Sequence, residues 1–342
     1  MIGQAPGQKK TALMYTEFYG LKDEPFLLTP DHRFYFESQV HGQAMAHLMY
    51  GLNRGEGFIV VTGEVGAGKT TIVKRLLDSV DEDAIFAAHI VTTFLTGHEL
   101  LRTVCAAFGI AKVPQEKDAV LRELQHFFEE LGRSGKKALL IIDEAQNLSA
   151  ATLEELRMLS NFQVGNVSPC QIFLVGQPQF RDTLADPDLE QLRQRVIASY
   201  HLGALNLEEC GDYVRHRMRQ VEWANDPEFR TDAMEAVFTH TSGIPRRINN
   251  LCSRLLLFGF LDNLHEFTGE DVTRVAMDLR EETGEGSVRK NGRYLGETDR
   301  KADLSARVDT VERRLDQHEG SLRRIARTVA ELMLGPDRRN DG

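Results

Sequence analysis

Gly63-Glu64-Val65-Gly66-Ala67-Gly68-Lys69-Thr70-Thr71 decides the fold. It fits G-x-x-x-x-G-K-[ST], in which glycines let the backbone curl until successive N–H groups point inward at phosphate oxygens. The Lys69 ammonium reaches the β- and γ-phosphates, and the Thr70 hydroxyl is placed to hold Mg²⁺. A strand-like run, FIVVT at 58–62, precedes the loop and a helical pattern over 69–79 follows it. The positive N-terminal end of that helix adds to the anion site. The stretch predicts ATP and Mg²⁺ as ligands.

Reading outward, ALLII at 138–142 runs into Asp143-Glu144. A buried strand ending in Asp sets a carboxylate beside the Mg²⁺ site, and Glu144 can polarise the attacking water as general base. Two adjacent acids argue for an NTPase that activates water over a small-molecule kinase. Gln177 follows the run at 171–175, where a polar side chain could touch the γ-phosphate or the water. Leu192-Arg193-Gln194-Arg195-Val196 offers an arginine that could reach a neighbouring subunit's γ-phosphate; a solvated basic helix face is the alternative. Gly243-Ile-Pro245-Arg246-Arg247 opens a helix, with Arg246 at the end that could swing over bound phosphates. The cluster Arg215-His216-Arg217-Met218-Arg219 reads as a solvated helix face, with a DNA or partner contact as the alternative.

These motifs sit in an α/β rhythm. Apolar runs at 58–62, 85–91, 138–142 and 171–175 alternate with helical patterns at 69–79, 97–109, 117–132 and 150–161, and Ser199 to Leu202 can add a fifth strand. Continuous rather than alternating apolar runs predict strands buried on both faces, hence a parallel sheet. Past residue 206 strand-like runs vanish. Helical patterns at 207–222, 231–241, 245–262 and 268–282 predict a small helical lid. The expected division is a flexible arm at 1–14, an α/β core at 15–205, the lid at 206–282 and a polar linker at 283–302. Leu304, Val308, Val311, Leu315, His318, Leu322, Ile325, Val329 and Leu332 then recur at 4-3-4-3 spacing. That spacing predicts a self-associating coiled coil or an amphipathic helix over 303–335, weakened by Gly320, before a disordered tail at 336–342.

The 342 residues, 42% apolar and 27% charged, are those of an ordinary globular chain with two domains and a tail. A net charge of −10 argues against a coat for nucleic acid. Four scattered cysteines, with no C-x-x-C pair, read as buried thiols in a reducing compartment. Without a ~20-residue apolar run or a signal-like start, the expected location is cytoplasmic, with peripheral docking at the inner membrane left open.

The motif order resembles the AAA+ ATPases, and more closely the ExeA-type secretion ATPases. The resemblance rests on Tyr19-Gly20-Leu21 through Pro25-Phe26, Thr29-Pro30-Asp31, His41 and FIVVTGEVGAGKTT at 58–71. It continues in IIDEAQNL at 141–148, LVGQPQF at 174–180, LRQRV at 192–196 and GIPRRINNLC at 243–252. Within that group the chain is similar to the secretion ATPase found with exosortase and PEP-CTERM exopolysaccharide loci. The resemblance covers residues 15–280. It implies phosphate and Mg²⁺ binding by Lys69 and Thr70, metal support by Asp143 and water activation by Glu144. Gln177 stands at the first sensor position, where Asn or Thr is commoner. Arg193 or Arg195 becomes the finger, Arg246 the second sensor, and Phe26, Leu28 and Phe34 flank the adenine. ExeA continues past its ATPase part into a membrane span and a peptidoglycan-binding region. Here a linker and heptads follow instead, so a cell-wall remodelling role is not expected.

The expected function is an ATP-hydrolysing motor or switch, a homo-oligomer serving envelope secretion or exopolysaccharide assembly with export machinery at the inner membrane. A DNA-associated regulator of the transposition-helper kind is the alternative, against which the acidic balance counts. A weakly catalytic scaffold that uses ATP to order its coiled coil is the third.

Overall fold

The computed structural model describes residues 14–28, 32–92, 95–163 and 168–283. The heptad segment, the final tail, the linker beyond Thr283 and the arm before Met14 lie outside the described residues.

Five strands, β1 (Phe58–Gly63), β2 (Ile85–Val91), β3 (Lys137–Asp143), β4 (Cys170–Gly176) and β5 (Val196–Leu202), form one parallel sheet in the order β2-β3-β4-β1-β5. Each was expected within a few residues of where it lies. Alternate residues of a strand face opposite ways, and both faces of the three inner strands are covered. Phe58, Val60, Leu140, Ile142, Ile172 and Leu174 join one buried cluster, while Ile59, Val61, Leu139, Ile141, Phe173 and Val175 join another. Helices α1 (Gln39–Arg54) and α2 (Lys69–Ser79) contribute to the second cluster. Helices α3 (Gly97–Ala107), α4 (Lys117–Arg133) and α5 (Ala150–Leu159) contribute to the first. Two short helices, α6 (Phe180–Leu184) and α7 (Glu190–Arg193), lead from β4 to β5.

The expectation of full burial fails for the outer strands. β2 is an edge, and within its apolar run IFAAHIV only Ala88 and Ile90 are buried, with Val91 63% exposed. An edge strand has one neighbour, so hydrophobicity alone could not reveal which runs lie at the margin.

The helical part comprises α8 (Leu207–Arg219), α9 (Thr231–Thr241), α10 (Pro245–Asp262) and α11 (Gly269–Thr283). Asn206 and Glu209 form a reciprocal cap at the start of α8. A two-residue parallel pair, Glu228–Phe229 against Glu266–Phe267, appears where no strand was expected. The segment before residue 37, expected to belong to the α/β core, packs elsewhere. Tyr15, Tyr19, Leu21, Phe26 and Phe34 are buried in the cluster of α8 to α11. It is hydrogen-bonded there too: the Lys22 backbone N donates to Val221 O, and the Tyr19 hydroxyl to Leu264 O. The aromatic strap therefore starts on the lid and leads the chain from lid to sheet. The α/β and helical parts belong to one contact unit, which ends at Thr283. All four cysteines are free and buried.

Candidate nucleotide site

The predicted phosphate loop joins the C-terminal end of β1 to α2. A parallel sheet gathers its functional groups at this end of the strands. Gly66 and Gly68 hold φ values of 84° and 101°, in the left-handed region. Space excludes a side chain as well: a methyl at Gly66 would stand 2.3 Å from Arg246 Cβ, and one at Gly68 would stand 2.6 Å from His41 Nε2. Lys69 is buried and its Nζ donates to Gly63 O (2.7 Å) and Glu64 O (3.0 Å). Burial lowers the Lys69 pKa, opposed by the charges of Glu144, Asp143 and Glu64.

Thr70 Oγ1 donates to Asp143 Oδ2 at 3.1 Å, so the structure brings the hydroxyl and the buried carboxylate together. Asp143 Oδ1 accepts from Glu144 N at 2.9 Å. A carboxylate beside a hydroxyl suits Mg²⁺, which takes hard oxygen donors and fills its other positions with substrate phosphates and water. Glu144 has φ 56°, a left-handed conformation rare for a non-glycine residue and characteristic of functional turns. Its Oε2 accepts from Gln146 Nε2 (2.5 Å) and Gln177 Nε2 (3.3 Å). Gln146 Oε1 in turn accepts from Gln177 N at 2.9 Å. Thr92 completes the frame, its Oγ1 donating to the carbonyls of Asp143 and Glu144. The ends of β2, β3 and β4 are thereby tied around one carboxylate.

A cavity of about 460 Å³ opens from the loop towards the helical part. Lys69, Thr70, Thr71 and Glu144 line its phosphate end. Arg246 lines it from the first turn of α10, where its backbone N donates to Gly66 O at 3.2 Å. Leu27, Leu28, Phe34, Tyr35 and Phe36 supply an apolar wall. The adenine-flanking expectation thus holds a place on the cavity for Leu28 and Phe34 but not for Phe26. Phe26 is packed among the lid helices and does not reach the cavity. His41 lies beside the loop, with Nδ1 2.7 Å from Ser38 Oγ, and burial lowers its pKa.

The basic cluster on α8 also departs from expectation. Arg217 is 6% exposed rather than solvated. Its Nε donates to Pro25 O (2.6 Å), Nη2 to Leu27 O (3.2 Å) and Nη1 to Tyr213 OH (2.9 Å). Its guanidinium lies over the Phe34 ring, 4.6 Å from the centroid. A side chain with five donors satisfies itself on three acceptors and a π-face, fastening the strap to the lid. The helical period assigned it to a face but could not tell which face another segment covers.

Neither finger candidate lines the cavity. Both are exposed. Arg193 Nη1 donates to Leu184 O (2.8 Å) and Asp186 O (3.2 Å), while Arg195 Nη1 makes longer contacts to Ser160 O (3.3 Å) and Oγ (3.4 Å). Gln146 was missed as a site residue, although it lies two positions beyond Glu144. Thr92 and Tyr213 carried no local signal, and Asn249 stood inside the quoted stretch 243–252 without a role assigned to it. Among the described residues, no helix is long and apolar enough to cross a membrane.

The comparisons agree with this geometry. An AAA domain model matches residues 52–184. General secretion pathway protein A of Aeromonas hydrophila is 37% identical over 279 residues, which are 80% of this chain and 50% of that protein. The chain thus spans about half the length of this curated relative. The ORC2 protein of Aeropyrum pernix, solved in ADPNP and ADP complexes, shares 18% identity over 72% of each chain, with a TM-score of 0.54. A chain of the Drosophila ORC bound to DNA shares 14% identity, with 86% of this chain and 72% of that one covered and a TM-score of 0.59. At those identities the two structures are likenesses of fold.

Proposed function

The chain belongs to the AAA+ P-loop proteins of the ExeA type, and from that premise we propose that it binds ATP with Mg²⁺ in this cavity and hydrolyses it. The observation that carries the reading is the held Glu144 carboxylate, set beside the Thr70–Asp143 pair at the mouth of a glycine loop. Lys69 leaves the loop carbonyls for the β- and γ-phosphates. Thr70 and Asp143 would hold the Mg²⁺, which would supply neutralisation of the phosphate charge. Gln146 and Gln177 give their amide protons to Oε2 of Glu144. Oε1 receives none from the described residues and is the atom that takes the proton of the attacking water. Gln177 also stands where it senses the γ-phosphate, and Arg246 covers the phosphates from the lid.

The site is completed by an arginine of a second copy. Arg195 is the better candidate, because Arg193 spends its guanidinium on two carbonyls at the end of α6. Pairing through the heptads at 303–335 supplies the self-association this needs. The name of the Aeromonas relative supports secretion as the process served, from a peripheral position at the inner membrane. Exopolysaccharide assembly is the finer assignment, resting on the sequence resemblance. Calorimetric titration of ATP and Mg²⁺ into wild type and Lys69→Ala tests the binding step: the variant loses binding, and unchanged affinity contradicts the phosphate-loop assignment.

A further inference from the structure

The cavity has a second polar feature, far from the strand ends in sequence and made entirely of lid residues. Tyr213 OH accepts from Arg217 Nη1 at 2.9 Å and lies 2.9 Å from Asn249 Oδ1. All three side chains are buried, and all three line the cavity. A guanidinium only donates, so the phenol oxygen is the acceptor towards Arg217 and its single proton must go to Asn249. That direction fixes the amide: Asn249 faces Tyr213 with its carbonyl oxygen. The amide NH₂ is left on the other branch, and among the described residues it donates to nothing. Asn249 belongs to α10, one turn beyond Arg246. Phe36 lies edge-on to the Tyr213 ring and Phe34 lies under the Arg217 guanidinium, and both line the cavity with Leu205, flat or aliphatic surface of the kind that takes a base rather than a phosphate.

We propose that Asn249 Nδ2 is a specificity-determining donor for the nucleobase, aligned by the Arg217–Tyr213 relay and given to a ring nitrogen of a purine. The inference rests on the ATP-binding reading and adds to it which end of the cavity reads the base. Once a bound base covers it, an amide donor left without an acceptor is costly, so the site discriminates against a base that offers a C–H in place of the nitrogen. The relay also accounts for the burial of Arg217: it holds the strap carbonyls with Nε and Nη2, and sets the amide through Nη1.

The test is a set of affinities for ATP, 1-deaza-ATP, 3-deaza-ATP, 7-deaza-ATP and 2′-deoxy-ATP, measured with wild type, Asn249→Asp and Asn249→Ala. Asn249→Asp keeps an acceptor for Tyr213 and removes the donor while adding a charge, and Asn249→Ala removes the donor without one, so the readout is the analogue-to-ATP ratio within each variant rather than its absolute affinity. Wild type should bind one deaza analogue about 3- to 10-fold more weakly than ATP, the worth of a neutral hydrogen bond. In both variants that ratio should fall to about one, whatever happens to affinity overall. Equal ratios in wild type and variants overturn the proposal. So does discrimination that appears only against 2′-deoxy-ATP, which would assign the amide to the ribose. Failure of wild type to bind ATP at all would instead refute the underlying nucleotide reading.

Discussion

The two ends of the cavity are built on different plans. Its phosphate end is one nine-residue loop and the ends of neighbouring strands, where the side chains of Lys69, Thr70, Asp143 and Glu144 stand on a backbone fixed by glycines and the sheet. Its other end is assembled from Leu27, Leu28, Phe34, Tyr35 and Phe36 of the strap, from α8 and from α10, and its groups are side chains. Backbone donors are fixed by φ and ψ, so a phosphate cradle is as rigid as its glycines and strands. The side-chain end is held by a buried guanidinium gripping a strap, so its geometry follows the lid. One end is therefore set by the sheet and its loop, and the other by the way the helical part holds the strap.

That contrast is broken or sharpened by substitution. The largest expected effect comes from outside the chain's own cavity. Arg195→Ala should spare ATP affinity and cut turnover about 10³- to 10⁵-fold, the worth of an arginine finger. Mixing it with Glu144→Gln protein should restore part of the activity, since a mixed interface sets an intact arginine against an intact Glu144. Absence of recovery in confirmed mixed assemblies would return the arginine to its own subunit.

Next in size is the cradle itself. Gly66→Ala forces a side chain into φ 84° against Arg246. ATP affinity measured by calorimetry should fall about 10- to 100-fold, from the 1–3 kcal/mol that such a conformation costs. A small effect would show the loop to be less rigid than its backbone suggests. The smallest effect concerns His41, buried neutral beside the loop. Its folded pKa lies below the reference value of 6.5, so the unfolded chain binds more protons as pH falls. Its contribution to stability is therefore complete above that value and lost as pH drops below 6.5 towards the folded pKa. Denaturation midpoints followed across that range should fall less steeply for His41→Gln. His201, His216 and His240 are depressed too, so the slope should shrink rather than vanish.

The same division governs what could be read from the sequence. Loop, Asp143 and Glu144 are contiguous with the strands that carry them, so motif and local pattern were enough to place them, and the strands and long helices were legible for the same reason. Gln177 was placed because it follows a recognisable run. The side-chain end has no such continuity. Phe26 and Phe34 differ by eight positions and both are buried, yet only Phe34 lines the cavity. Arg217 sits among basic residues at a helical spacing that suits solvent, and only the strap folded over it makes it a buried tie. That Arg217 meets Pro25, and that Tyr213 meets Asn249, are properties of topology and leave no trace in local periodicity.

The central claim is that Glu144, held by two glutamine amides, activates water for hydrolysis of bound ATP. The direct measurement is ATP turnover by Glu144→Gln at saturating ATP and Mg²⁺, with affinity determined on the same preparation. Affinity should stay close to wild type while turnover falls about 10²- to 10⁴-fold, the contribution of a positioned base. Wild-type turnover in a variant that binds ATP normally would contradict the claim and assign the water to another group.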